Sequence, residues 1–223
     1  ALDFWVISDH AEAATPTKWM EAKKAIRQCN AIHENSDTPD LISFLGFEWT
    51  QIDPNKDNHY GHKNVMFLET DEESVPIMPI GSGGVATDGM RSAERLPVVR
   101  SNMLSMALLD FKNRSRYADL ITFSEHIVDT EDCTEDFYNP DNSCYFSALT
   151  PKDLFTALEK IESDSIVIPH GNTWGFYTPS ESSWDKQLSS DHNNSDKQIS
   201  FEIMSGHGYS EEYRPWTASY TEN

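Results

Sequence analysis

The chain has 223 residues and carries 37 acidic against 17 basic side chains, a formal net charge of −20. Nucleic acid and anionic membrane surfaces are excluded as partners, because both are bound by clustered Lys and Arg and no such cluster occurs. Apolar residues make up 38% of the chain, in short runs rather than tracts. That composition describes a globular protein, one domain at this length, burying roughly 70% of its unfolded surface and lacking a membrane span. The acidic excess reads first as a solvated surface, serving solubility or adaptation to salt.

The opening ALDFWVISDH reads as a buried strand that delivers Ser8, Asp9 and His10 at its end. A helix is predicted over Thr17 to His33, from the spacing of Trp19, Met20, Ala25, Ile26, Cys29 and Ile32. LISFLGFEW (Leu41 to Trp49) is a second strand, with Glu48 near its end, and KNVMFLE is a third, preceded by His62. Residues 76 to 95 read as a loop; their Gly81-Ser82-Gly83-Gly84 lacks the Lys-Ser/Thr of a phosphate-binding loop. Residues 100 to 118 suit a helix, and Ala118 to Glu125 (ADLITFSE) reads as a strand. Thr150-Pro151 starts another helix, as cap and first-turn proline. SIVIPH and FEIMSGHG are the last strands, separated by a Ser-, Asp- and Asn-rich loop. Strand, helix and strand with polar residues at the strand ends is the pattern of an α/β protein.

Three cysteines are too few for a disulfide scaffold. Cys133 and Cys144 bracket an acidic loop: either they are bridged, adding about 3 kcal/mol in an oxidising compartment, or they are two free thiols. A bridge together with the acidic surface points to a periplasmic or secreted protein. The chain begins at Ala1, inside a strand and without an initiator Met, so it reads as a piece of something longer.

Four apolar runs end on candidate ligands: Asp9-His10, Glu48, His170 and His207. Side chains at the C-terminal ends of parallel strands converge on one mouth, and imidazole with carboxylate is a donor set for Zn, Mn or Fe. Any single histidine is more often structural, and His33 and His192 are read that way. Glu48 is the stronger signal, since a carboxylate within LISFLGFEWT is costly to bury unless paired or metal-bound. Glu125 and His126 stay open. Trp19 and Trp49 read as core. Trp174, in HGNTWG beside His170, reads as pocket lining with Asn172.

Taken in order, ALDFWVISDHAE, LGFEWT, GHKNVMF, IPHGNTWG and FEIMSGHGYSEEYR resemble the DUF3604 family, a branch of the polymerase-and-histidinol-phosphatase (PHP) superfamily. The resemblance spans Ala1 to Arg214. It implies a distorted (β/α)7 barrel with two or three divalent ions (Zn, Mn or Fe) at the strand C-termini. His10, Glu48, His62 and His170 would be the ligands, with Glu48 bridging, Asp9 beside them as a supporting group, and His59 competing with His62. His207 resembles a branch-specific residue for substrate rather than metal. The HxH and Asp-x-His pairs that open and close PHP domains are missing, so the chain is expected to be an internal fragment, incomplete at both ends, that binds metal weakly. The implied activity is metal-assisted hydrolysis of a small-molecule substrate, first a phosphoester, with Glu48, His207 and His126 as catalytic candidates. Two alternatives are a non-catalytic metal- or ligand-binding module of the same fold, and incidental histidines that bind no metal.

Overall fold

A computed structural model describes residues 3–32, 39–133, 144–175, 177–189 and 191–210, without the Trp174 side chain. The strands are β1 (Phe4–Val6), β2 (Asp9–His10), β3 (Ile42–Phe44), β4 (Gly46–Gln51), β5 (Gly61–Phe67), β6 (Gly81–Ser82), β7 (Ser147–Ala148), β8 (Ser165–His170), β9 (Trp174–Gly175) and β10 (Gly208–Tyr209). The helices are α1 (Pro16–Ala31), α2 (Gly84–Arg91), α3 (Leu96–Leu109), α4 (Arg114–Ile127), α5 (Pro151–Leu158) and α6 (Trp184–Gln187).

The main sheet runs in the order β2-β4-β5-β8, with pairs β1-β3, β6-β7 and β9-β10 beside it. Phe4 pairs with Ile42 and His10 with Glu48, the same 38-residue offset on both sides of Ile7-Ser8. β1-β2 and β3-β4 are therefore one parallel ladder, interrupted where a Cβ on Gly46 would come 2.3 Å from the Val65 carbonyl oxygen.

The architecture is mixed α/β, and none of the described sheets closes into a barrel. β5 runs antiparallel to both β4 and β8. The expected convergence of strand C-termini is thus modified: β2 and β8 contribute their last residues, His10 and His170, while β4 contributes its third residue, Glu48, and β5 its second, His62.

Alternation along the strands sorts the two faces. Phe47, Trp49, Val65, Phe67 and Val167 form one buried face, which packs against Trp19 of α1 and Leu154 and Leu158 of α5. Glu48, His62 and His170 lie on the other. α1 starts where Thr15 accepts a hydrogen bond from the Lys18 amide (3.1 Å), with Pro16 in its first turn. Its Trp19 donates from Nε1 to the Pro76 carbonyl at 2.8 Å. The expected cap of α5 forms a full capping box between Thr150 and Asp153.

Three expectations need correcting. Ala118 to Glu125 belongs to the helix α4: Leu120, Phe123, Ser124 and Ile127 recur at the 3.6-residue period, and the last three are buried. Residues 76 to 95 hold β6 and α2 rather than only loop. FEIMSGHG is largely non-strand; the Ile203 carbonyl accepts from the Ser210 amide (2.9 Å), and only Gly208-Tyr209 pairs regularly. Cys133 and Cys144 are joined by a disulfide. No helix among the described residues is long and apolar enough to cross a membrane.

Candidate metal centre

Glu48 is the hub. It is 7% exposed, at the third position of β4. Its Oε1 lies 2.9 Å from His62 Nδ1, 3.1 Å from His170 Nε2 and 3.5 Å from His207 Nε2. Its Oε2 faces His10 Nε2 at 3.5 Å. Glu48, His62, His170 and His207 each offer one donor atom, and these four atoms lie within 4.8 Å of one another. With metal–nitrogen bonds of about 2.0–2.1 Å, two donors on one tetrahedral ion are about 3.3–3.4 Å apart. Glu48 and the three histidines are a donor set that could hold a metal ion, with modest inward movement of the most separated donors. Each imidazole face is also close to another: the His62 and His207 rings stack at 4.1 Å, and those of His62 and His170 at 5.2 Å.

Glycines let the segments approach. Gly61, before His62, has φ +68°, and a Cβ there would lie 2.3 Å from the side-chain amide of Asn172. Gly171, after His170, has φ +62° and faces His62 and His207.

Burial opposes the charge on Glu48, but hydrogen bonds from His170 and His62 and the field of His10 outweigh it and hold the carboxyl far below the ordinary carboxylate range. Burial lowers His62; its bond to Glu48 works against this, while the neighbouring His207 and His170 add to it. His207 is lowered by burial first, then by His170 and His10, against the pull of Glu48. An anionic Glu48 beside a His62 and a His207 biased toward their neutral forms is the protonation state a divalent cation requires.

Of the residues singled out in the sequence, His10, Glu48, His62, His170 and His207 come together. His207 is placed among the donors, although the resemblance gave it to substrate. Asp9 is not among the clustered donors: it is exposed, and strand alternation turns its side chain to the face opposite that of His10. His126 does not either, because α4 carries it, exposed, in its last turn. Neighbouring Glu125 pairs instead with Arg100.

Asn172 is 1% exposed and has no surface to offer a substrate. Its amide nitrogen faces the carbonyls of His170 (3.1 Å) and Tyr60 (3.0 Å), which makes it a brace under the site. His59 is buried apart, its Nδ1 accepting from the Asp53 amide (3.3 Å). His192 packs edge-on against Tyr60, as a structural histidine. Trp19 and Trp49 are core, 3% and 0% exposed. His33 and the Trp174 side chain lie outside the described residues.

Sequence reasoning missed the surrounding polar groups. Thr50 Oγ1 is 2.7 Å from His10 Nδ1 and 3.3 Å from His62 Nδ1. His170 Nδ1 faces Asn64 Nδ2 at 3.5 Å and Glu202 Oε2 at 3.9 Å. Asn64 in turn accepts from the Ser8 hydroxyl at 2.7 Å. Glu12, 3% exposed, uses Oε1 to accept from the amides of Thr50 (3.2 Å) and Ser82 (2.8 Å). The period-2 rule held the signal for two of these, since Thr50 and Asn64 stand two residues beyond Glu48 and His62 on the same sheet face. Set against known protein families, characterised proteins and solved structures, the chain gives no match.

Proposed function

We propose that the chain is a metal-dependent hydrolase of the DUF3604 branch of the PHP superfamily, acting on small phosphoesters at a site of two or three Zn, Mn or Fe ions. The observation that supports this reading is the division of labour on Glu48: Oε1 faces His62, His170 and His207, while Oε2 faces His10. A carboxylate that bridges two cations needs its two oxygens served by different ligands. In this reading the sheet β2-β4-β5-β8 is one wall of the distorted (β/α)7 barrel. The Cys133–Cys144 bridge supports an exported protein.

Bound divalent ions supply Lewis-acid activation of water and neutralise charge on the phosphoryl oxygens. The chain's residues provide the rest. Glu48, His10, His62 and His170 fix the ions. His207 sits 3.5 Å from Glu48 with 31% of its side chain exposed, so it meets both the cluster and the substrate. Of the donors facing Oε1 it is the most exposed and so the one placed to meet a substrate, a position His126 cannot share from α4.

The test is hydrolysis of p-nitrophenyl phosphate by the protein loaded with each metal. Metal-dependent turnover that disappears in Glu48→Gln, and falls in His207→Gln, is expected. Stoichiometric metal with no turnover for any phosphoester would select the binding-module alternative.

A further inference from the structure

Thr50 is 4% exposed and held on all sides. Its amide donates to Glu12 Oε1 at 3.2 Å, its carbonyl accepts from the Ser82 hydroxyl, and it pairs with His62 across the β4-β5 ladder. The hydroxyl is therefore delivered to a fixed point, 2.7 Å from His10 Nδ1 and 3.3 Å from His62 Nδ1. The two histidines depend on it differently. His62 Nδ1 has Glu48 Oε1 nearer, at 2.9 Å, whereas the hydroxyl is the hydrogen-bonding group placed at His10 Nδ1, with His10 Nε2 left facing Glu48 Oε2. His10 also comes from the edge strand β2 and keeps 45% of its side chain exposed, so packing alone holds it loosely.

An imidazole that ligates through Nε2 must carry its proton on Nδ1, and the partner of that Nδ1–H fixes both tautomer and ring orientation. A hydroxyl can accept there. We infer that Thr50 is a positioning residue of the metal centre: its hydroxyl accepts from His10 Nδ1–H and so presents His10 Nε2 toward Oε2 of Glu48, with buried Glu12 anchoring the Thr50 backbone. The inference rests on the metal-site reading above, but it assigns a role outside the donor set.

The test compares Thr50→Val, which keeps the β-branched shape and removes the hydroxyl, with Thr50→Ser, which keeps the hydroxyl. Two readouts are taken on the same samples: Co²⁺ affinity by visible absorption, and the His10 tautomer by ¹⁵N NMR of the metal-free protein. Thr50→Val is expected to weaken Co²⁺ binding about 10- to 100-fold and to lower the Nδ1–H population of His10, while Thr50→Ser stays within about threefold of wild type. Unchanged Co²⁺ affinity and tautomer in Thr50→Val would overturn the inference while leaving the metal site intact, and so would equal losses in both variants. Wild-type protein that binds no Co²⁺ would overturn the metal-site reading and the inference with it.

Discussion

Divalent metal at a hundredfold excess over its dissociation constant is expected to raise the unfolding midpoint of the wild-type protein by about 5–11 °C. A ligand that binds only the folded state at that excess adds about 2.7 kcal/mol, and each kcal/mol moves the midpoint of a chain this size by about 2–4 °C. The donors come from β4, β5, β8 and the turn before β10, separated by up to 159 positions between Glu48 and His207, so the unfolded chain does not present them together. Metal therefore acts as a cross-link of the folded state alone. The shift should vanish in His170→Ala, whose Nε2 is 3.1 Å from Glu48 Oε1. Calorimetry with Zn²⁺ and Mn²⁺ measures it, and a midpoint indifferent to metal would remove the support for a preformed centre.

Acid should destabilise the metal-free protein well before its carboxylates are neutralised. His59 is pushed down from 6.5 to about 4, by burial first and then by Lys186 and His62. His62 and His207 are lowered too. For a histidine whose folded pKa is depressed, the unfolded chain takes up the proton first on acidification. Stability is level above pH 6.5 and falls between 6.5 and the folded value, by about 1.4 kcal/mol per pH unit for each imidazole kept neutral. His59 alone contributes a loss on the order of 3 kcal/mol by pH 4. Glu48, held low in the folded state, loses its stabilising contribution as pH drops below 4.5. Glu12 acts in the opposite sense: burial raises it, so on acidification the folded state takes up that proton first and is partly relieved. The three depressed histidines and this carboxyl therefore pull in opposite directions, with the loss from His59 expected to set the sign. Urea unfolding from pH 7 downward tests the balance, and a midpoint that stays flat between pH 6.5 and pH 4 would contradict it.

The residues differ in how far the sequence revealed them. Glu48 was legible because a carboxylate inside an apolar run has few affordable environments, and the structure surrounds it with four imidazoles. His10, His170 and His207 were legible at the ends of apolar runs and His62 through the family resemblance, though the antiparallel direction of β5 was not, since alternation alone carries no strand direction. Ala118 to Glu125 misled because a short apolar run satisfies both strand and helix until Ile127 is counted as the next turn of the same face. Asp9 misled for the converse reason: adjacency to His10 along a strand means opposite faces, not proximity. Asn172, expected to line a pocket, is a buried brace, a placement set by packing between segments that no local pattern encodes. Thr50, for which no role was read, touches two of the site's histidines, and only its place two residues beyond Glu48 on the same face hinted at it.

Metal stoichiometry by elemental analysis, on wild-type protein and on Glu48→Gln dialysed against the same Zn²⁺ solution, tests the central claim most directly. Wild type is expected to retain at least one ion per chain and Glu48→Gln to lose most of it, because Oε1 faces three of the imidazoles and Oε2 the fourth. Equal metal content in the two proteins, or none in the wild type, would contradict the account.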